Sequence, residues 1–451
     1  AKQDILFQLG TQAFANVKLD DAVSLFSQAI QLGSYNMEAR NDAYFWRGES
    51  YYRMGEYENA ISDYRTYLNN TRQRNTDMYA LAYYNLGYSY FKLRDYSAAL
   101  NRFRQYVDLE SNRQAASLAD AYNRIGDCLY QNRQFSLAEE NYSRAAQLSP
   151  SAGDYSIYQK GFLLGLQKDY KGKISAMDRL ISEYPESQYV DDALFEKGRS
   201  YVLLENSSSA AQAFEKLIRE FPLSSLARKA GIQLGLLYYN DNQPEKALAA
   251  YKQVISNYPG SEEAKIALQD LKSVYIDLND INAYASYVNS IGGNIRLEVG
   301  EQDSLTYIAA EKLFMRGDND GARRSLINYL QTFPEGAFSS NANFYLGSIA
   351  FAKKEFDEAI QRFKSVIASG DTKFLEESVA RTAEIEYLSK DYPAALESFK
   401  RLQIVAENPE NRQAARLGIM RCALQTGQQK DALLAADELL KEPKLSPELE
   451  A

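Results

Sequence analysis

Small, apolar and polar positions recur along the chain at a fixed spacing. A small residue embedded in stretches such as Tyr84-Asn85-Leu86-Gly87-Tyr88-Ser89-Tyr90 returns at Gly10, Gly48, Gly87, Gly126, Gly161, Gly198, Gly235, Ala310, Gly347 and Ala383. Lys272 and Met420 occupy the two phases that lack it, and successive steps run from 35 to 39 residues. Twelve residues after this anchor stands Ala in ten of twelve units, from Ala22 and Ala60 to Ala432; Lys173 and Tyr284 depart. Sixteen residues after it comes a large apolar or aromatic side chain, among them Phe26, Tyr64, Phe103, Tyr142, Phe214, Tyr251, Phe363 and Phe399. Five of the ten prolines (Pro150, Pro185, Pro222, Pro259 and Pro334) share the phase twenty-four residues on.

Each slot has a physical reading. Glycine inside a helix costs about 1 kcal/mol of helix propensity, so its recurrence marks a point where a neighbouring helix comes close. Ala twelve residues later plays the same part on a second helix, and the aromatic four residues beyond it lies one turn on, on the same face. Each unit therefore predicts a helical hairpin, with turns such as Met54-Gly55-Glu56-Tyr57 and Leu93-Arg94-Asp95-Tyr96 between its helices. Pro244 and Pro393 fall at the start of the second helix, where a missing N–H is harmless. Proline at the far end stops that helix.

With this Leu-Gly, aromatic, Ala, aromatic and Pro spacing the chain resembles the tetratricopeptide repeat family, whose unit is about 34 residues. Twelve units span essentially all of residues 1–448. The resemblance implies an all-α fold, a right-handed alpha-alpha superhelix of about twelve helical hairpins. Links such as Glu183-Tyr184-Pro185-Glu186-Ser187 and Asn257-Tyr258-Pro259-Gly260-Ser261 are similar to those of a bacterial cell-envelope branch, the outer-membrane assembly lipoproteins and Tol-associated coordinators. That implies the periplasm or cell envelope, with the cytoplasm as the alternative.

Two units are irregular. Unit five carries Gly165, Gly172-Lys173 and Met177 where its neighbours have a bulky residue, Ala and an aromatic, and looser packing is expected there. Unit eight loses both small slots, at Lys272 and Tyr284, and runs into Ile291-Gly292-Gly293-Asn294. A joint is expected at 292–302, between an N-terminal array over 1–291 and a C-terminal array over 303–451; one continuous superhelix is the alternative. Both ends lack a polar capping helix, so the chain reads as a fragment of a longer array. Any membrane association would then reside in an N-terminal segment outside it.

Charge and composition narrow the chemistry. A net charge of −9 over 451 residues argues against nucleic acid, which is bound through a basic footprint. No apolar run approaches the roughly 18 to 20 residues of a membrane-spanning helix. Histidine is absent, which removes imidazole acid–base catalysis and His-bearing zinc sites. Cys128 and Cys422 are too few for a disulfide framework or a thiolate metal site, and are expected as buried packing residues. Gly165 to Gly172 holds six intervening residues where a phosphate loop has four. Asp318-Asn319-Asp320-Gly321 lacks the outer ligands of a calcium loop, having Arg316 and Ile327 in their places. Both read as hairpin turns, and neither catalytic activity, cofactor nor metal is expected.

What remains is a face of the first helices. Residues three before, one after and four after the anchor share one side of a helix, and in tetratricopeptide arrays that resemble this one that side lines the concave groove. Here it reads Phe45, Glu49, Tyr52; Tyr84, Tyr88, Phe91; Asn123, Asp127, Tyr130; and Tyr158, Phe162, Gly165, with Tyr307, Glu311, Phe314 later. Of these, Phe45, Glu49, Tyr52, Tyr84, Tyr88, Phe91, Asp127, Tyr130, Tyr158 and Phe162 are the candidate partner-binding residues. With 35 Tyr against 20 Phe, the chain favours rings that add a polar handle to apolar area, suited to an extended peptide or a partner helix. The same rings also serve as spacers between helices, and both readings stand. The family's carboxylate clamp needs Lys and Asn at the first two of these slots; units two and three offer Phe45, Glu49 and Tyr84, Tyr88. The function expected is a non-catalytic scaffold for a protein or peptide. The alternative is the regulatory or targeting arm of a larger enzyme.

Overall fold

The computed structural model describes residues 1–33, 35–112, 116–292, 296–370 and 373–441. Among them the regular elements are twenty-four α-helices and one 3-10 turn, Pro150–Ala152. The chain forms two compact units, Ala1–Asp241 and Asn242–Ala451. The first holds α1 (Lys2–Ala15), α2 (Leu19–Gln31), α3 (Met37–Met54), α4 (Tyr57–Asn70), α5 (Asp77–Lys92), α6 (Tyr96–Leu109) and α7 (Ala116–Gln131). It continues through α8 (Phe135–Leu148), α9 (Asp154–Leu166), α10 (Tyr170–Glu183), α11 (Val190–Leu203), α12 (Ser207–Glu220) and α13 (Ser225–Asn240). The second holds α14 (Pro244–Asn257), α15 (Glu262–Asp277), α16 (Ile281–Ile291), α17 (Val299–Met315), α18 (Asn319–Thr332) and α19 (Ser339–Ala352). It ends with α20 (Phe356–Ser369), α21 (Leu375–Leu388), α22 (Tyr392–Val405), α23 (Pro409–Gln425) and α24 (Gln429–Leu440). Within each unit consecutive helices pack on one another, the all-α array of repeated hairpins that the spacing implies.

The anchor is the hairpin's crossing point. A Cβ on Gly10 would lie 2.6 Å from Phe26, on Gly87 2.9 Å from Phe103, on Gly126 2.7 Å from Tyr142 and on Gly198 2.5 Å from Phe214. Each of these rings, sixteen residues on, is fully buried against the missing side chain. Ala22, Ala60, Ala99, Ala138 and Ala210 are buried beside them for the same reason.

The turns share a second regularity. Seven residues after each anchor the backbone is left-handed: Val17, Arg94, Arg133, Lys168, Glu205, Asn242, Asn279, Lys354 and Lys390 have φ between 54° and 64°, and Gly55, Gly317 and Gly427 between 76° and 82°. The next residue opens the second helix and, where it is Asp or Asn, caps it: Asp95 accepts from Ala98 N at 3.0 Å, Asp169 from Gly172 N at 2.9 Å and Asp318 from Gly321 N at 2.9 Å. Both stretches weighed above as ligand loops are thus hairpin turns. Pro244 begins α14 and Pro393 lies in the first turn of α22.

The segment 292–302 lies inside the second unit. Gly292 follows α16 with φ +80°, residues 293–295 lie outside the described residues, and α15, α16 and α17 pack on one another. Cys128 and Cys422 are buried; burial pushes their thiols up to about 12 and about 11.

Candidate functional site

Hairpins three to five build a polar chain on their first helices. Tyr84 and Tyr88 lie one turn apart on α5, with ring centroids 5.0 Å apart. Tyr84 rests on Tyr106 (4.9 Å) and Tyr88 on Phe103 (5.3 Å), both rings of α6. The two hydroxyls donate to the same Asp120 oxygen on α7, Tyr84 at 2.7 Å. One turn on, Arg124 places Nε 3.6 Å from Asp120 and Nη1 2.6 Å from Asp127. Asp127 Oδ1 then accepts from Tyr142 of α8 and Tyr155 of α9, each at 2.7 Å. The Arg124 guanidinium lies over the Tyr155 ring at 5.0 Å and the Phe91 ring at 5.8 Å.

Burial first, and Asp120 second, hold the Tyr84 and Tyr88 phenols well above the usual range, so both stay hydrogen-bond donors at neutral pH. Burial also raises the Asp127 carboxyl, against the lowering pull of Arg124 and the two tyrosines. An arrangement of fixed phenols, carboxylates and one guanidinium orients hydrogen bonds and excludes water.

Eight of the ten candidate residues are half-buried. Glu49 accepts from Tyr64 at 2.9 Å and from Asn85 at 3.0 Å, tying hairpin two to hairpin three. Tyr52 packs on Tyr57 (5.5 Å), Phe91 on Tyr96 (5.4 Å) and Tyr130 on Phe162 (6.2 Å). Tyr158 stacks on Tyr189 at 5.2 Å, beside Asp192 and Glu196, and burial raises its phenol. The other two do not face outward. Phe45 is 2 % exposed, wedged edge-on among Trp46, Tyr64 and Tyr67. Asp127 is 9 % exposed, drawn inward by Arg124 and two hydroxyls. Asp120, Arg124, Tyr155 and Tyr189 belong with the candidates and were outside the three slots; the one-turn spacing of Asp120 and Arg124 was the signal that could have found the first two.

Hairpin five is filled where looser packing is expected. Lys173, 8 % exposed, pairs with Glu196 of α11 and lies 6.0 Å from the Phe162 ring centroid, while Met177 fills the place of the aromatic against Gly161. In the second unit Glu311 accepts from Tyr307 at 2.7 Å and Tyr345 at 3.0 Å, a shorter version of the same phenol–carboxylate pattern. Among the described residues no group of three or more acidic or thiol side chains is arranged to hold a metal, and no helix is long and apolar enough to cross a membrane.

Models of the tetratricopeptide repeat match residues 7–77, 84–153 and 309–372 and, in a second form, 155–187, together more than half of the chain. A model described as outer membrane lipoprotein matches residues 191–269. No curated protein matches the chain in sequence. Similar solved structures include the C-terminal part of a TPR repeat-containing protein from Cytophaga hutchinsonii, 20% identical, covering 58% of this chain and 99% of that one, TM-score 0.49. A tetratricopeptide repeat protein from Parabacteroides merdae is 16% identical over 60% of this chain and 98% of its own, TM-score 0.40. YrrB, described as a TPR protein with an unusual peptide-binding site, is 22% identical over 46% and 96%, TM-score 0.37.

Proposed function

Because the chain belongs to the tetratricopeptide repeat family, we propose that it is a non-catalytic scaffold holding a protein or peptide partner along its first helices, in a bacterial cell-envelope complex. The observation that carries this reading is the chain from Tyr84 and Tyr88 through Asp120, Arg124 and Asp127 to Tyr155, in which rings and hydrogen-bonding groups are fixed in advance on three successive hairpins. Such a surface loses little rotamer freedom when a partner docks. The match of residues 191–269 to the outer membrane lipoprotein model supports the envelope as the setting.

Tyr84 and Tyr88 also support α6, so truncating them would disturb the fold as well as the surface. Photocrosslinking amino acids at Tyr130 and Phe162, compared with Leu109 and Ile404, which are exposed on second helices, test the reading in cells. Crosslinks to one discrete protein from the first-helix positions are expected. Equal yields from Leu109 and Ile404, or none at Tyr130 and Phe162, would remove the assignment.

A further inference from the structure

A cavity of about 440 Å³ opens at the start of α3, bounded by the end of α4 and the link to α5. Four of the other links begin with a ring and a proline: Tyr184-Pro185, Phe221-Pro222, Tyr258-Pro259 and Phe333-Pro334. This one reads Thr71-Arg72-Gln73-Arg74-Asn75-Thr76 and brings no ring to fill the space. Met37, Met78 and Tyr67 give it apolar walls, and Asp42 and Glu38 line it with carboxylates.

Acceptors are left over here, and so is one donor, Arg40 Nε, buried without a hydrogen-bond partner. Asn41 spends its amide N–H groups on Thr71 Oγ1 (2.6 Å) and the Tyr67 carbonyl (3.3 Å), while its Oδ1 is buried with no hydrogen-bond partner. Asp42 is half-buried and, among the described residues, neither hydrogen-bonded nor ion-paired through its carboxylate. We propose that this cavity receives an organic cation, the ammonium or guanidinium end of a basic side chain on the partner, with Asp42 as counter-charge and Asn41 Oδ1 as second acceptor. The ligand's source rests on the scaffold reading; the cavity's chemistry does not.

The electrostatics agree. The Asp42 carboxyl is pushed up to about 6, by burial first and Glu38 second. Arg40 on the same helix and Arg72 on the link also line the cavity, yet neither offsets that rise. Tyr67, facing from α4, has its own phenol raised by burial and, less, by Asp42. A bound cation would supply the compensation that a half-buried carboxylate lacks.

Met37 and Met78 allow a direct test without any partner: carbon-13 methyl-methionine NMR of the full chain, titrated with L-arginine amide, N-acetylglycine or calcium chloride. Arginine amide should shift the Met37 and Met78 methyl signals saturably and leave Met177 and Met315 unmoved. Asp42→Asn should weaken binding at least tenfold and Asp42→Glu should restore part of it. Lowering the pH from about 7 to about 5, which protonates Asp42, should weaken it too. The proposal is overturned by no saturable shift, by N-acetylglycine or calcium moving these signals in place of the amide, or by a folded Asp42→Asn protein that binds as its parent does. None of those outcomes touches the Tyr84–Arg124 surface, whose test is crosslinking.

Discussion

A methyl group on Gly165 would lie 2.8 Å from Cδ and 3.1 Å from Nζ of Lys173. The smallest side chain on α9 thus makes room for a long one on α10 to reach Glu196 on α11. Gly165→Ala alone is expected to lower stability, because displacing Lys173 from Glu196 outweighs the roughly 1 kcal/mol gained in helix propensity. In a Lys173→Ala background the same change should be stabilising by about 1 kcal/mol. Denaturant midpoints of the four proteins close a double-mutant cycle, and a coupling of about 1 kcal/mol or more is expected. Additive effects would mean the two residues do not share this space.

The anchor glycines differ in how close the facing ring comes. A Cβ at Gly198 would sit 2.5 Å from Phe214, whereas one at Gly48 would sit 3.2 Å from Tyr64. Gly198→Ala is expected to cost about 1–3 kcal/mol through overpacking. Gly48→Ala, where a shift of a few tenths of an ångström suffices, should come out close to neutral once helix propensity is counted. Thermal unfolding of the two variants checks the order; the reverse order would refute the crossing-point account.

The left-handed turn residue permits a test free of packing. Val17 holds φ +61° with a β-branched side chain, and Gly55 holds φ +82° with nothing within 4 Å of an added Cβ. Val17→Gly should raise stability by about 0.5–1 kcal/mol, the relief of left-handed strain less the entropy that glycine adds to the unfolded chain. Gly55→Val should lower it by about 1 kcal/mol or more. Urea denaturation reads both, and opposite signs are the expected result.

These cases also mark what the sequence discloses. Anchors such as Gly87 and buried alanines such as Ala99 were legible because close helix approach admits few residue types; the turns at Asp95 and Asp318 were legible too, but not that each caps the following helix. The left-handed position was not, since the turn imposes φ near +60° on Val17, Arg94 and Glu205 alike. Phe45 and Tyr84 occupy the same phase, yet Phe45 is sealed by Trp46 and Tyr67 while Tyr84 reaches Asp120 in the next hairpin. Whether a side chain at that slot stays within its own hairpin, as Phe45 does, or reaches into the next, as Tyr84 does, is not reported by periodicity within one unit. Lys173 looked like a defect for the same reason: its partner Glu196 lies in another hairpin.

Asp42 sets a pH dependence. Its carboxyl is raised to about 6 in the folded chain, against roughly 3.9 when unfolded, so the folded state binds the extra proton. Its contribution to stability is greatest at low pH and is lost as pH rises from about 4 through about 6. Asp42→Asn cannot ionise and escapes that loss. The melting temperature of Asp42→Asn relative to the parent should therefore climb between about pH 4 and pH 7. A constant difference across that range would show that the carboxylate is fully hydrated.

Asp127 distinguishes a structural carboxylate from a ligand-facing one. Its two oxygens hold Tyr142, Tyr155 and Arg124, and removing it leaves a largely buried guanidinium without its nearest counter-charge. Asp127→Ala is expected to cost about 3 kcal/mol or more. Asp120→Ala should cost less, since its side chain is 34% exposed and Arg124 keeps Asp127. Asp127→Asn should fall between, because the amide oxygen still accepts from a tyrosine hydroxyl but the charge is gone. Chemical denaturation of the three proteins gives the ranking. An Asp127→Ala chain as stable as its parent would mean that water reaches Arg124, and the polar chain through hairpins three to five would then be a solvated surface instead of a preorganised one.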